Sequence, residues 1–156
     1  MNHGKTVVGI RLMLLRDYLQ ANAGKDRIVK RRDIEEFLAQ KGYPIEKKTL
    51  YTDLVILEQE FGLQIEYDPH RKGYRLLNPP FEPYELRLLV DGIQSSKFIT
   101  SEKAREITGK IKALAGKETR ESLNRQSYVA DRVRSMNDSV VKDADRIHRA
   151  TANDSR

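Results

Sequence analysis

The stretch Glu46-Lys47-Lys48-Thr49-Leu50-Tyr51-Thr52-Asp53-Leu54-Val55-Ile56-Leu57-Glu58-Gln59-Glu60-Phe61 constrains the fold more than any other part of the chain. Leu50, Leu54, Leu57 and Phe61 recur at helical spacing, which predicts a helix over 47–61 with one apolar stripe. Lys47, Lys48, Tyr51 and Thr52 fall off that stripe, near the helix start. A helix with an apolar back and a basic, hydroxyl-rich N-terminal front suits a DNA major groove, where the first residues of a recognition helix reach base edges and phosphates. Taken alone, the same helix reads equally well as a solvated face carrying ordinary charges. Its neighbours tip the balance.

Upstream, 6–21 reads as a helix through the stripe Val8, Leu12, Leu15 and Leu19, widened by Ile10, Leu14 and Tyr18, with Gly24 suited to the reversal that follows. A shorter helix is expected over Arg31 to Gln40, with Ile34, Phe37 and Leu38 inward. Lys30 stands where a Ser or Thr cap is usual, and Asp33 is placed to favour the first-turn amides. Pro44 disfavours helix at Tyr43, so Gly42-Tyr43-Pro44-Ile45 makes a tight connection into the 47–61 helix, a helix-turn-helix pattern. Leu63 to Tyr67 and Tyr74 to Leu76 then alternate apolar and polar around Asp68-Pro69-His70-Arg71-Lys72-Gly73. That is a β-hairpin with a basic tip, a wing.

Asn78-Pro79-Pro80 breaks the chain, so 1–80 is expected as a winged helix-turn-helix domain and 81–156 as a helical linker or dimerisation segment. In the second part Pro83 opens a helix with the stripe Leu86, Leu89, Val90 and Ile93. Thr100 or Ser101 caps the next, which carries Ala104, Ile107, Ile111 and Leu114 and ends at Gly116. The sequence from Lys117 to Ser127 is polar and weakly helical, Tyr128-Val129 suits a short extended piece, and a last helix is expected from near Asp138, with Val140, Val141, Ala144 and Ile147 on one side. The fold class is mainly α with a small β-hairpin.

Composition narrows the function classes. Net charge is +6, which favours a polyanionic partner. The excess is +3 in each half, 14 Lys+Arg against 11 Asp+Glu over 1–80 and 15 against 12 over 81–156, so a binding surface must come from local clusters. Two qualify: Lys25 to Arg32, and His70-Arg71-Lys72 with Arg75. The absence of cysteine removes disulfides, thiolate catalysis and Cys metal sites. The three histidines are scattered and no carboxylate sits in an apolar run, so neither a metal, a cofactor nor an enzyme is expected. Gly4-Lys5-Thr6 lacks the preceding glycine and strand of a phosphate-binding loop. No run is apolar enough for a signal or a membrane span, and a cytoplasmic location is expected.

Lys48-Thr49-Leu50-Tyr51-Thr52-Asp53-Leu54, Gly62 to Asp68 and Gly73-Tyr74-Arg75-Leu76, in that succession, resemble the N-terminal winged helix of bacterial WYL-domain transcriptional regulators. Phe81 to Asp91, Ser95 to Ile99 and Arg132-Val133-Arg134-Ser135-Met136-Asn137 resemble the helical segment that follows it there. The resemblance implies sequence-specific binding of double-stranded operator or promoter DNA by a homodimer, with repression the expected direction of control. The family's WYL domain, where an effector ligand would bind, would begin about where this chain stops, so no ligand site is carried over. Thr52 stands where the family often has Arg, and it cannot make the bidentate contact to guanine that Arg makes. Glu46 replaces a usual Ser cap.

The residues expected to meet DNA are Lys30 and Arg31 at the second helix, Lys47, Lys48, Thr49, Tyr51 and Thr52 on the third, and His70, Arg71 and Lys72 on the wing. Arg71 and Lys72 suit phosphate or minor-groove contact. Asp53 reads as structural, pairing with a basic residue, and Tyr67 and Tyr74 as hairpin packing. Leu86, Leu89, Val90 and Ile93 are the expected dimer surface, against a reading in which that stripe packs only within its own chain. The alternative function is a winged-helix module for protein contacts that has lost DNA binding.

Overall fold

The computed structural model describes residues 3–153, less the side chains of His3, Arg134, Ser135, 137–141 and Asn153. In chain order the elements are α1 (His3–Asn22), α2 (Arg31–Gln40), α3 (Lys47–Phe61), β1 (Ile65–Asp68), β2 (Gly73–Leu76), α4 (Pro83–Ser95), α5 (Ser101–Ala113) and α6 (Lys117–Asn153). The chain is mainly α with one small antiparallel hairpin.

Leu15 and Leu19 of α1, Ile34 and Leu38 of α2, and Leu50, Leu54 and Leu57 of α3 interdigitate with Leu63, Tyr74 and Leu76 in one core. The stripes expected on α2 and α3 are thus the faces that bury. At full burial each such Leu or Ile contributes about 1.5–3 kcal/mol, which is why amphipathic period decides which helix faces meet. The stripe ends earlier than expected: Phe61 is exposed, with the Arg16 guanidinium 6.0 Å from its ring centre. Val8 and Ile10 of α1 are exposed too, because α2 and α3 cover only the C-terminal part of that helix.

α3 ends at Gly62, which takes φ +70°, and the next amide, Leu63 N–H, donates to Leu57 O at 3.2 Å. A Cβ there would meet nothing within 4 Å, so only the backbone conformation asks for glycine. Gly62→Ala is expected to cost about 1 kcal/mol in urea unfolding and Gly62→Asn less. Equal stability of all three proteins would remove the left-handed cap from the account.

The hairpin pairs Ile65 with Leu76, Glu66 with Arg75, Tyr67 with Tyr74 and Asp68 with Gly73. Val29 adds a bridge on the other edge of β2, its N–H and C=O each 2.8 Å from the Tyr74 backbone. That bridge ties the hairpin to the segment before α2 and was not legible in the sequence. At the tip the Asp68 carboxylate accepts the His70 and Arg71 amides at 2.9 and 3.0 Å, and these bonds hold it below the usual carboxylate range.

A second, smaller core gathers Leu86, Val90, Ala115 and Leu123, with Ile111 against it. Thr100 caps α5 by accepting the Lys103 amide at 3.2 Å, as its position suggested. α5 stops at Ala113, short of Gly116, and Leu114 is exposed. The largest departure is α6. It starts at Lys117 instead of near Asp138, runs 37 residues, and absorbs Tyr128-Val129, which was expected to be extended. Leu123 and Ser127 are buried against α4 and α5, so tertiary contact holds helix where local propensity is weak. The side chains of Val140 and Val141 lie outside the described residues.

The two cores meet at the 24–27 loop. Glu82, just before α4, accepts the Lys25 amide at 3.0 Å, and the Arg27 guanidinium donates to Ala21 O and Ala23 O at the end of α1. Gly116, before α6, donates to Ala21 O at 3.3 Å.

Candidate nucleic-acid interface

The start of α2, the start of α3 and the hairpin converge on one cleft of about 350 Å³. Lys30, Arg31 and Arg32 line it from α2, Lys47 and Tyr51 from α3, and Tyr67, Lys72 and Tyr74 from the hairpin. Five cations and three phenols surround it, and no carboxylate is among the lining residues. Both helices begin there without a side-chain hydrogen bond to their first-turn amides at the cap. Their positive dipole ends therefore add to the side-chain charge. Lys30 and Glu46 occupy the two cap positions, Lys30 with its own amide held by Asp33 at 3.2 Å.

The positions of these groups follow from packing. Leu50, Leu54 and Leu57 clamp the back of α3 to α1 and α2, which turns Lys47, Lys48, Tyr51 and Thr52 outward. Asp53, buried on the inner side, is held by Arg11 of α1, Nε to Oδ2 at 2.6 Å and Nη2 to Oδ1 at 3.1 Å. The expected structural role of Asp53 is therefore filled by a residue 42 positions away. Gly73 fits the hairpin against the α1–α2 segment: a Cβ there would lie 3.0 Å from Val29 O and 3.1 Å from Ile28.

Tyr74 is buried and stacks at a tilt on Tyr67, ring centres 5.3 Å apart, which is the hairpin packing expected of both. Both also line the cleft. Burial, followed by the nearby Tyr51 phenol and a hydrogen bond with it, pushes the Tyr74 phenol up to about 12. The folded state thus favours neutral Tyr74. This stability is fully present below the ordinary tyrosine pKa of about 10 and is lost as pH rises from there through the folded value. Tyr74→Phe is expected to flatten the alkaline limb of the stability profile, read by urea midpoints across that range. An unchanged limb would mean that this phenol is not the group responsible.

Of the residues expected to meet DNA, Lys30, Arg31, Lys47, Tyr51 and Lys72 come together in the cleft. Arg31 also lies 3.5 Å from Glu35, and the Lys47 ammonium lies 5.8 Å from the Tyr51 ring centre. Lys48 and Thr52 are exposed beside the cleft, the Thr52 hydroxyl donating back to Lys48 O, and Thr49 is half-buried. His70 is exposed at the hairpin tip, away from the lining. Arg71 turns the other way and donates to Asp26 O at 2.9 Å. Lys72 lines the cleft from a left-handed backbone position, φ +54°.

Arg32, Tyr67 and Tyr74 are the lining residues the sequence did not single out as DNA contacts. The signal for the tyrosines was their flanking of the 68–73 turn, which makes them a cross-strand pair. The expected dimer stripe divides. Leu86 and Val90 are consumed by the chain's own second core, Ile93 is half-buried, and Leu89 is exposed. Leu86 and Val90 are thus unavailable to a partner. Among the described residues no helix is long and apolar enough to cross a membrane, and no group of three His, Asp or Glu side chains is placed to hold a metal ion.

Comparison with protein-family models, with curated proteins and with solved structures finds no match to this chain.

Proposed function

We propose that the chain is a sequence-specific DNA-binding regulator of transcription, built as a winged helix-turn-helix. In this reading α3 enters the major groove and the hairpin lies on the adjacent backbone or minor groove. The observation that carries it is the cleft of five cations from three elements, with no carboxylate in its lining and two helix N-termini opening on it. A duplex presents closely spaced phosphates, and a surface of this charge releases their counterions. Lys47, Arg32 and Lys72 serve as phosphate contacts, with Tyr51, Thr52 and Lys48 nearer the base edges. The resemblance to WYL-domain regulators points the same way, with repression the expected direction of control.

The test is a fluorescence-anisotropy titration at several salt concentrations, on the protein's own upstream promoter and on an unrelated duplex of equal length. The expected result is tighter binding to the promoter with a steep salt dependence. Weak binding, equal on both duplexes and indifferent to salt, would overturn the reading and favour a protein-contact module.

A further inference from the structure

Among the described residues, it is the first part of α6 that packs on the rest of the fold. At 1.5 Å per residue this helix is about 55 Å long. From Lys117 to Asp131 it packs on α4 and α5 through Leu123 and Ser127, through Gln126 to Arg87 O and Asp91, and through Arg105 to Asp131 at 3.8 Å. Past Asp131 its described side chains are exposed. In proteins most helical stability comes from packing an amphipathic face, so this stretch calls for a partner along an apolar face.

Such a face is present. Val129, Val133, Met136 and Ile147 are 60, 54, 64 and 68% exposed. They fall at positions d, a, d and a of a single heptad frame. At its N-terminal end this seam runs into the groove between α4 and α6 lined by Tyr84, Leu88, Ser122 and Gln126.

The flanks of the seam select the occupant. Arg125, Arg132 and Arg146 share position g, and Ala130, Ala144 and Thr151 share position e. In a parallel pair each g side chain lies beside the partner's e of the next heptad, so Arg125, Arg132 and Arg146 fall beside Ala130, Asn137 and Thr151, none of them charged. An antiparallel pair sets g against g and stacks arginine on arginine. β-branched Val133 and Ile147 at a favour two strands over three.

We infer that the chain forms a homodimer through 129–150 of α6, a parallel, in-register two-stranded coiled coil. This pairing sets both basic clefts at the same end of the dimer. The dimer does not depend on the DNA reading and stands if that reading fails. Asp143, at a d position, faces its own copy and is the weak point of the seam.

Sedimentation velocity on the full chain is expected to give a dimer, and Val133→Glu/Met136→Glu a monomer with the near-ultraviolet signal of the first core retained. Asp143→Leu should shift dimerisation to lower protein concentration. Because the chain has no cysteine, Val129→Cys and Ala150→Cys, each a single d-position substitution, report strand direction without background. In a parallel register both variants form an intermolecular disulfide under mild oxidation. A wild-type monomer at every concentration reached, or failure of either variant to crosslink, would overturn the inference.

Discussion

Asp53→Ala is expected to destabilise the first core by about 3–5 kcal/mol, the range for removing one partner of a buried ion pair. Asp53 is 2% exposed and Arg11 11%, and the two make a forked contact at 2.6 and 3.1 Å. With the carboxylate gone, the guanidinium stays among apolar side chains of α1 and α3 without its counter-charge. Against a typical total of about 5–15 kcal/mol, that change leaves much of the population unfolded in modest urea. Arg11→Met should cost a comparable amount. The double variant Arg11→Met/Asp53→Leu should recover most of the stability, because apolar groups of similar volume often replace a buried pair at little cost. Urea midpoints of the four proteins give the coupling energy. If Asp53→Ala lies within about 1 kcal/mol of wild type, the pair is not what fixes α3 on α1.

Removing the charge of the cleft is expected to have the largest effect on binding. Deleting one cation that touches a phosphate should lower the salt slope by about one unit, and at about 0.1 M salt that corresponds to roughly tenfold in affinity. Lys30→Ala, Arg32→Ala, Lys47→Ala and Lys72→Ala combined should therefore cost about a thousandfold or more on any duplex, promoter or not. Tyr51→Phe and Thr52→Ala should instead narrow the difference between promoter and unrelated DNA, since a base contact carries about 1–3 kcal/mol of discrimination. Arg71→Ala is a useful contrast. Its guanidinium is engaged with Asp26 O, so this substitution is expected to loosen the hairpin more than it lowers the salt slope. A quadruple variant that binds as tightly as wild type would eliminate the cleft as the DNA surface.

Much of the first part was legible residue by residue. The i, i+4, i+7 spacing of Leu50, Leu54 and Leu57 determines which face of α3 is buried, and hence that Lys47, Tyr51 and Thr52 face outward. Pro44 and Gly62 bound that helix through backbone sterics, which act locally and need no knowledge of neighbours. Thr100 capped α5 for the same reason. Phe61 misled because periodicity marks a face without saying how far the covering helices extend.

What only the tertiary structure decided is of another kind. The Arg11–Asp53 pair, the Val29 bridge to Tyr74, and the meeting of Arg32 with Lys72 in one cleft join residues tens of positions apart. α6 shows the same limit from the other side, since Lys117 to Ser127 is weakly helical by itself and is held as helix by Leu123 and Ser127 against α4 and α5. The turn of Leu86 and Val90 into a private core follows from that packing too. Local sequence carries period, caps and turns, because those energies arise and balance within a few residues. Which charges share a cleft, and which apolar side chains remain for a partner, depends on contacts whose free energy exists only once the whole chain has closed.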